Sequence, residues 1–172
     1  MQAGLVTNPS STQNDYPEVV DDSLFQCHCT CIAFNRRGTL LAGGSKDGRV
    51  LVWDWDTHGL ARTFEGHMAT VHAVSWSRDG HKLLSADANG RVIVRVVVTS
   101  AELARIELGT PVHGAWLQPA AGTRNPLKVD GMRAIVTFAS GGVILLDVST
   151  AQQLELDLRG QVDADQALGQ VE

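Results

Sequence analysis

Short apolar runs alternate with polar, glycine-bearing turns through most of the chain. The pattern is clearest over residues 34–54, which predict strand, turn, strand, turn and strand. The tight turn before residue 49 ends on Gly48, which can supply a positive φ. Extended in both directions, the pattern predicts four strands, at residues 29–34, 39–45, 49–54 and 60–64.

The four-strand unit is repeated. Phe34 corresponds to Trp76 and Gly48 corresponds to Gly90, so the offset is 42 residues. The second copy predicts strands at 71–76, 81–87, 91–98 and 102–108, and a weaker third copy predicts strands at 112–117, 132–139, 143–148 and 153–158. A period of about 40–45 residues with four strands per unit is typical of WD repeats, each of which forms one propeller blade.

The predicted strands are apolar on both faces, as in residues 50–53 and 92–94. A half-exposed sheet would alternate apolar and polar positions, whereas stacked sheets bury both faces. We therefore predict an all-β fold of about three four-stranded antiparallel WD-repeat β-propeller blades, with an incomplete ring because closed propellers have about 4–8 blades. An all-β sandwich is the alternative, since periodic strands alone do not fix closure.

The domain organisation follows from the repeats. We expect a polar N-terminal arm over residues 1–22 and a flexible tail over residues 159–172, both polar and poor in periodic apolar positions. The blades then occupy residues 23–158, divided at about 23–67, 68–109 and 110–158.

Many WD blades contain a hydrogen-bonded His, Ser or Thr, Asp and Trp, because a buried indole N–H needs an acceptor. The second unit has His67 at the His position and Ser85 at the Ser position. Asn89 stands at its Asp position and Arg95 at its Trp position. The second unit therefore lacks both the carboxylate and the indole of the set.

The first unit has Asp47 and Trp53, but Gly43 replaces the hydroxyl and Phe25 replaces the imidazole. A hydrolytic triad would need an exposed nucleophile and an oxyanion hole, and the sequence signals neither. We therefore predict structural roles in the blades for Asp47, Gly48, Trp53, Asp54, His67, Ser85 and Gly90.

Four arginines are candidate partner contacts. Arg95 lies in an apolar strand, where an unpaired charge would cost several kcal/mol if buried. Either it reaches the blade edge and pairs with a carboxylate such as Asp87, or it lies at an open edge where a partner supplies the anion. Arg36 and Arg37 lie on one turn and Arg78 on the equivalent turn of the next unit, as solvated charges or as contacts to an acidic partner or a phosphate backbone.

Composition narrows the function classes. The chain is 44% hydrophobic and 19% charged, which is typical of a globular protein. Its net charge of −5 argues against nucleic-acid binding by the whole surface. The sequence shows no signal peptide, no membrane-spanning run and no phosphate-loop or hydrolase motif. We expect a chain that is not an enzyme, with no cofactor, no small-molecule substrate and no membrane association.

The cysteines do not form a disulfide or zinc pattern. Cys27, Cys29 and Cys31 alternate along one predicted strand, which would place all three thiols on one face. Structural zinc sites prefer Cys-x-x-Cys pairs with a second, distant pair, and that pair is absent. Buried small hydrophobic residues are the favoured interpretation, metal binding is the alternative, and a reducing compartment is expected.

Several runs of residues resemble one family. They are Asn14–Glu18 (NDYPE), Phe34–Gly43 (FNRRGTLLAG), Asp47–Asp54 (DGRVLVWD), Thr57–Gly59 and Trp76–Leu83 (WSRDGHKL). Together they are similar to the first blades of the retinoblastoma-binding protein 5 family, the WD-repeat subunit of COMPASS/MLL histone lysine methyltransferase complexes. The likeness covers about residues 14–108, and Arg95-Val96 stands where that family has Trp-Asp.

The resemblance implies a non-catalytic scaffold located in the nucleus. Its implied partners are the SET-domain methyltransferase subunit, the other core subunits and the nucleosome. Because the sequence holds about three blades, we expect a truncated or divergent family member whose open blade edges favour self-association. The alternatives are a WD-repeat adaptor in another assembly, such as a ubiquitin ligase, or an incomplete, non-functional fragment.

Overall fold

The computed structural model describes residues 28–118 and 132–155, which form three four-stranded antiparallel sheets. Sheet one contains β1 (Cys29–Phe34), β2 (Leu40–Ser45), β3 (Val50–Asp54) and β4 (Gly59–Phe64). Sheet two contains β5 (Val71–Trp76), β6 (Lys82–Asp87), β7 (Arg91–Val96) and β8 (Glu102–Glu107). Sheet three contains β9 (Val112–Leu117), β10 (Arg133–Phe138), β11 (Val143–Asp147) and β12 (Gln152–Glu155). The strands within each sheet follow chain order.

The sheets stack face to face, which explains why their middle strands are apolar on both sides. One core lies between sheets one and two and includes Val50, Val52, Val71 and Val74. A larger core lies between sheets two and three and includes residues from β6, β7, β9, β10 and β11. The first strands β1, β5 and β9 contact one another in sequence, so the sheets fan out from this side. The prediction of open, consecutive propeller blades is confirmed, and the sandwich alternative is wrong.

Two turn glycines let successive sheets approach closely. Gly48 and Gly90 have φ of 86° and 88°. A Cβ at Gly48 would lie 2.7 Å from the carbonyl oxygen of His67, and one at Gly90 would lie 2.5 Å from that of Thr110. The β2–β3 and β6–β7 turns are therefore seated against the backbone that leads into the next sheet, and a side chain at either glycine would push the sheets apart.

The strand bounds differ from the predicted ones in small ways. The third strand of sheet two ends at Val96 instead of residue 98, because Val96 N–H donates to Ala101 and Val97 N–H donates to His81. Ser100, with φ of 60°, lies in the turn between these bonds. The predicted arm over 1–22, the tail over 159–172 and Phe25 lie outside the described residues. In the part of the chain that is described, no helix is long and apolar enough to cross a membrane.

A bulge in β1 changes the cysteine prediction. The pairing of β1 with β2 shifts register between Cys29 and Cys31. As a result, the Cys29 sulfur lies against Gly43 and the Cys31 sulfur against Gly44, two adjacent residues that face opposite sides of the sheet. The prediction that both thiols share a face is wrong, and Cys29 is exposed, not buried. Cys27 lies outside the described residues.

Candidate functional site

A buried polar network joins sheet two to the connection that precedes it. His67 Nδ1 lies 3.0 Å from Asp87 Oδ2, and His67 Nε2 lies 2.7 Å from Ser85 Oγ. The side chains of His67 and Asp87 are 0% and 1% exposed. The other Asp87 oxygen accepts the backbone N–H groups of Asn89 and Arg91, at 2.9 Å each. Every oxygen of the buried carboxylate is therefore satisfied by the surrounding strand and turn.

The protonation state of His67 follows from this environment. Burial lowers the pKa of His67, and the hydrogen bond to Asp87 opposes that shift without reversing it. A neutral imidazole then donates from Nδ1 to the carboxylate and accepts the Ser85 hydroxyl at Nε2. Because Ser85 is only 4% exposed, its hydroxyl is closed to a substrate, and the network holds the blade together.

The carboxylate of this network comes from Asp87, so the assignment of Asn89 to the Asp place is wrong. Asn89 lies in the β6–β7 turn with an exposed side chain. Ser85 and Asp87 are two residues apart on β6, and alternation along a strand directs both to the same side. That period of two was the signal by which the sequence could have identified Asp87.

Arg95 pairs within its own blade. Its Nη2 lies 3.1 Å from Glu102 Oε2 and 2.5 Å from the carbonyl oxygen of Glu65, and its guanidinium lies 5.7 Å from the centre of the Phe64 ring. The side chain is 9% exposed, and burial lowers the pKa of Arg95. The prediction that Arg95 pairs with a carboxylate is confirmed, but the carboxylate belongs to Glu102 and not to Asp87, which is held by His67.

We call sheets one and two blade one and blade two. Blade one has an aromatic ring, that of Trp53, at the position that Arg95 occupies in blade two. Trp53 is 2% exposed, and its ring lies over Gly43, where a Cβ would be 2.8 Å from Cζ3. Its Nε1 has no hydrogen-bond partner among the described residues. Asp47 does not reach the ring: it is exposed and pairs with Arg49, whose hydrogen bond lowers the pKa of Asp47 to about 2.

Asp54, the acidic member of the Trp-Asp pair, organises a turn. Its Oδ1 accepts the backbone N–H of Asp56 at 3.1 Å and of Thr57 at 2.9 Å, and these hydrogen bonds lower the pKa of Asp54. Asp147 caps the equivalent turn of sheet three in the same way, through Ser149. The aspartate thus replaces missing strand hydrogen bonds at the β3–β4 turn.

Three of the predicted contact arginines come together on the outside of the molecule. Arg36 and Arg37 on the β1–β2 turn and Arg78 on the β5–β6 turn line one cleft of about 330 Å³ with Asn35, Asp79 and Gly80. We call this the rim cleft. Arg95 lies elsewhere, in the partly buried ion pair with Glu102.

Next to the rim cleft is a larger cavity that the sequence analysis missed. This apolar trough, about 630 Å³, shares Arg36 and Arg78 with the rim cleft, and its apolar lining is Ile32, Ala33, Phe34, Val74, Trp76, Trp116 and Leu117. Ile32, Phe34 and Trp116 are 64%, 47% and 54% exposed. The trough forms because the ends of β1, β5 and β9 meet, which a strand prediction does not reveal. Among the described residues, no group of three His, Cys, Asp or Glu side chains could hold a metal ion.

Comparisons with known proteins agree with this architecture. The family described as WD domain, G-beta repeat matches residues 22–54 and 59–94. The retinoblastoma-binding protein 5 homolog of Drosophila melanogaster is 40% identical over 131 residues, or 74% of this chain and 26% of the relative. The Set1 complex component swd1 of Schizosaccharomyces pombe is 32% identical over 105 residues, or 61% of this chain and 26% of the relative.

A solved structure gives the same result in three dimensions. The β-propeller domain of Cps50 (Swd1) from Myceliophteria thermophila matches with a TM-score of 0.67 and 30% identity, covering 78% of this chain and 40% of that one. This chain spans about a quarter of the length of the curated relatives it matches. The chain therefore belongs with the WD-repeat β-propeller proteins related to retinoblastoma-binding protein 5 and Swd1.

Proposed function

We propose that this chain is a non-catalytic scaffold that holds protein subunits in a nuclear histone lysine methyltransferase assembly of the Set1 type. The observation that supports the proposal most is the relationship to Swd1, which in Schizosaccharomyces pombe is a Set1 complex component. The proposed partners are the SET-domain subunit, other core subunits and the nucleosome.

The distribution of polar and apolar groups is consistent with a binding role. The buried His67–Ser85–Asp87 network is closed to substrates, so it serves the fold. Large apolar side chains are exposed instead, among them Ile32 and Trp116 in the apolar trough. Contiguous exposed apolar surface of this kind marks contact sites for other proteins.

Reconstitution tests the proposal. We would mix the purified full chain with a purified SET-domain subunit and the other core subunits and follow co-elution by size-exclusion chromatography. The expected result is a complex that contains the chain, with recovery reduced for Trp116→Asp. Val98→Asp is the matched control, because Val98 is 66% exposed on the turn after β7, outside the lining of the trough. Failure to co-elute, combined with recovery of cullin-type subunits from a cell extract, would favour the adaptor alternative.

We also propose that the isolated chain self-associates through its open sheets. Ile135, on the β10 strand of sheet three, is 38% exposed. Uncovered sheet faces and edge strands invite pairing with another chain. Light scattering at tens of micromolar should give a mass above that of one chain, and a clean monomer would contradict this part of the proposal.

A further inference from the structure

The three arginines of the rim cleft differ from most other arginines of the described chain. Arg49, Arg91, Arg95 and Arg105 each pair with a carboxylate of the same sheet. Arg36, Arg37 and Arg78 are exposed and have no hydrogen bond or ion pair to the described residues. Three unpaired guanidinium groups therefore meet in one cleft of a chain whose net charge is −5.

The acidic residue of the cleft makes no ion pair with these arginines. Asp79 accepts the Ser77 hydroxyl at 2.5 Å and the His81 backbone N–H at 3.0 Å, so its Oδ1 is held by its own turn. Its Oδ2 lies 3.9 Å from the buried Lys82 ammonium. The donors of Arg36, Arg37 and Arg78 are left available to an outside carboxylate, which a guanidinium binds through two parallel hydrogen bonds.

The apolar trough adds a second requirement for the ligand. It is concave, it adjoins the arginines directly, and its walls include the aliphatic side chains of Ile32 and Leu117 as well as the rings of Phe34 and Trp116. A hydrogen bond between sheets one and two helps to hold the trough in shape: Trp76 Nε1–H donates to the carbonyl oxygen of Ala33 at 2.9 Å. A cavity of about 630 Å³ lies within the range of pockets that enclose a ligand.

We propose that the apolar trough and the rim cleft together bind an acidic peptide segment of a partner protein. A large apolar side chain of that segment enters the trough, and flanking aspartates or glutamates pair with Arg36, Arg37 and Arg78. The proposal deepens the scaffold function by naming the chemistry of one partner segment.

Charge and shape favour this occupant over two others. A nucleic acid is held by many phosphate contacts, and its affinity rises with their number, whereas the cleft offers three arginines. A second copy of this chain would bring a surface of the same sign, with arginines facing arginines about a two-fold axis.

Fluorescence anisotropy with the full chain tests the proposal. The probe is a labelled peptide of eight residues with aspartates and glutamates around a central Leu-Phe pair. We expect saturable binding that weakens with added salt and falls about tenfold or more for Arg36→Glu/Arg78→Glu. Arg49→Glu, an exposed charge reversal on the β2–β3 turn, should leave binding unchanged. Trp116→Ala should weaken binding without affecting its salt dependence.

Several outcomes would overturn the proposal. One is equal binding by the double arginine variant, and another is equal binding by a peptide in which Gly-Ser replaces the Leu-Phe pair. A third is equal or tighter binding of a single-stranded oligothymidylate of the same charge, which would assign the cleft to phosphate. Because the assay contains no methyltransferase subunit, peptide binding with no co-elution in the reconstitution would reject the Set1-type assembly and retain the site.

Discussion

Blade one and blade two use one backbone arrangement and two kinds of interior. At the equivalent place of the third strand, blade one has Trp53 and blade two has Arg95, paired with Leu41 and Leu83 in the same register. Blade one encloses an indole ring that is 2% exposed, without a polar network around it among the described residues. Blade two encloses a His-Ser-Asp network and directs its arginine to the edge.

The difference between the blades depends on the space above the second strand. In blade one the Trp53 ring takes up the volume that a Cβ at Gly43 would need. In blade two the Arg95 side chain runs toward Glu65 and Glu102, which leaves room for Ser85 and the imidazole of His67. The turn glycines and the apolar strands therefore set the fold, and the polar set is a consequence of which side chain occupies the third strand.

The largest effect is expected from removing the blade-one ring. Trp53→Ala leaves a cavity at a fully enclosed site and should lower the free energy of unfolding by about 3–5 kcal/mol. Arg95→Ala in blade two should cost less, about 1–2 kcal/mol, because Glu102 keeps Arg105 as a partner. Urea unfolding followed by circular dichroism measures both values. An equal loss of unfolding free energy in the two variants would contradict the proposed difference between the two blade interiors.

The blade-two carboxylate should be next in size. Asp87→Ala leaves the His67 Nδ1–H and the backbone N–H groups of Asn89 and Arg91 without their acceptor, at a cost of about 3 kcal/mol. The matched control is Asp47→Ala, because Asp47 is exposed and holds only its own turn, and it should cost less than about 1 kcal/mol. The same unfolding assay applies. A larger loss of unfolding free energy for Asp47→Ala than for Asp87→Ala would mean that the carboxylate of blade one contributes more to stability.

A third change tests whether blade one can accept the missing hydroxyl. The WD pattern suggests that Gly43→Ser would restore the hydroxyl that is missing from the polar set beside Trp53. The structure predicts the reverse, since the new Cβ would lie 2.8 Å from the ring, and overpacking of this kind costs about 1–3 kcal/mol. Thermal unfolding should show a lower midpoint than the parent. A higher midpoint would mean that the ring moves to accept the hydroxyl.

Much of the fold could be predicted from the sequence because it rests on local signals. The recurrence of Gly48 at Gly90, and the doubly apolar strands between such turns, defined the repeat and nearly every strand. The β1 bulge between Cys29 and Cys31 could not be foreseen, since one extra residue in a short strand changes no periodic signal over its neighbours.

The site was harder to predict, because its pairs depend on register and on packing between sheets. Arg95 faces Glu102 only after a register shift between Val94 and Arg95, which brings the two opposite each other across β7 and β8. Asp87 could have been found from alternation along β6, but the place of the aspartate in other WD repeats pointed to Asn89. The apolar trough arises where three sheets meet, and no single repeat encodes it.

The smallest effect is expected from mild acid, and it should act on blade two. Burial lowers the pKa of His67 below its ordinary value of 6.5. The unfolded chain therefore binds a proton at a higher pH than the folded chain does. As the pH falls below about 6.5, the free energy of unfolding should decrease until the folded-state pKa is passed. Urea titrations from pH 7.5 down to pH 5 measure the slope.

His67→Gln is the control variant, and it should flatten the slope in that pH window while lowering stability at pH 7.5. The pKa values of Asp47 and Glu102 are lowered by their arginine partners, so the stabilisation they give is lost only as the pH falls through about 4.5 and below. The two windows are thus separate, and a slope between pH 6.5 and 5 reports on blade two. An unchanged slope in His67→Gln would show that the imidazole is not the group that titrates. The pH dependence of stability would then not distinguish the polar interior of blade two from the apolar interior of blade one.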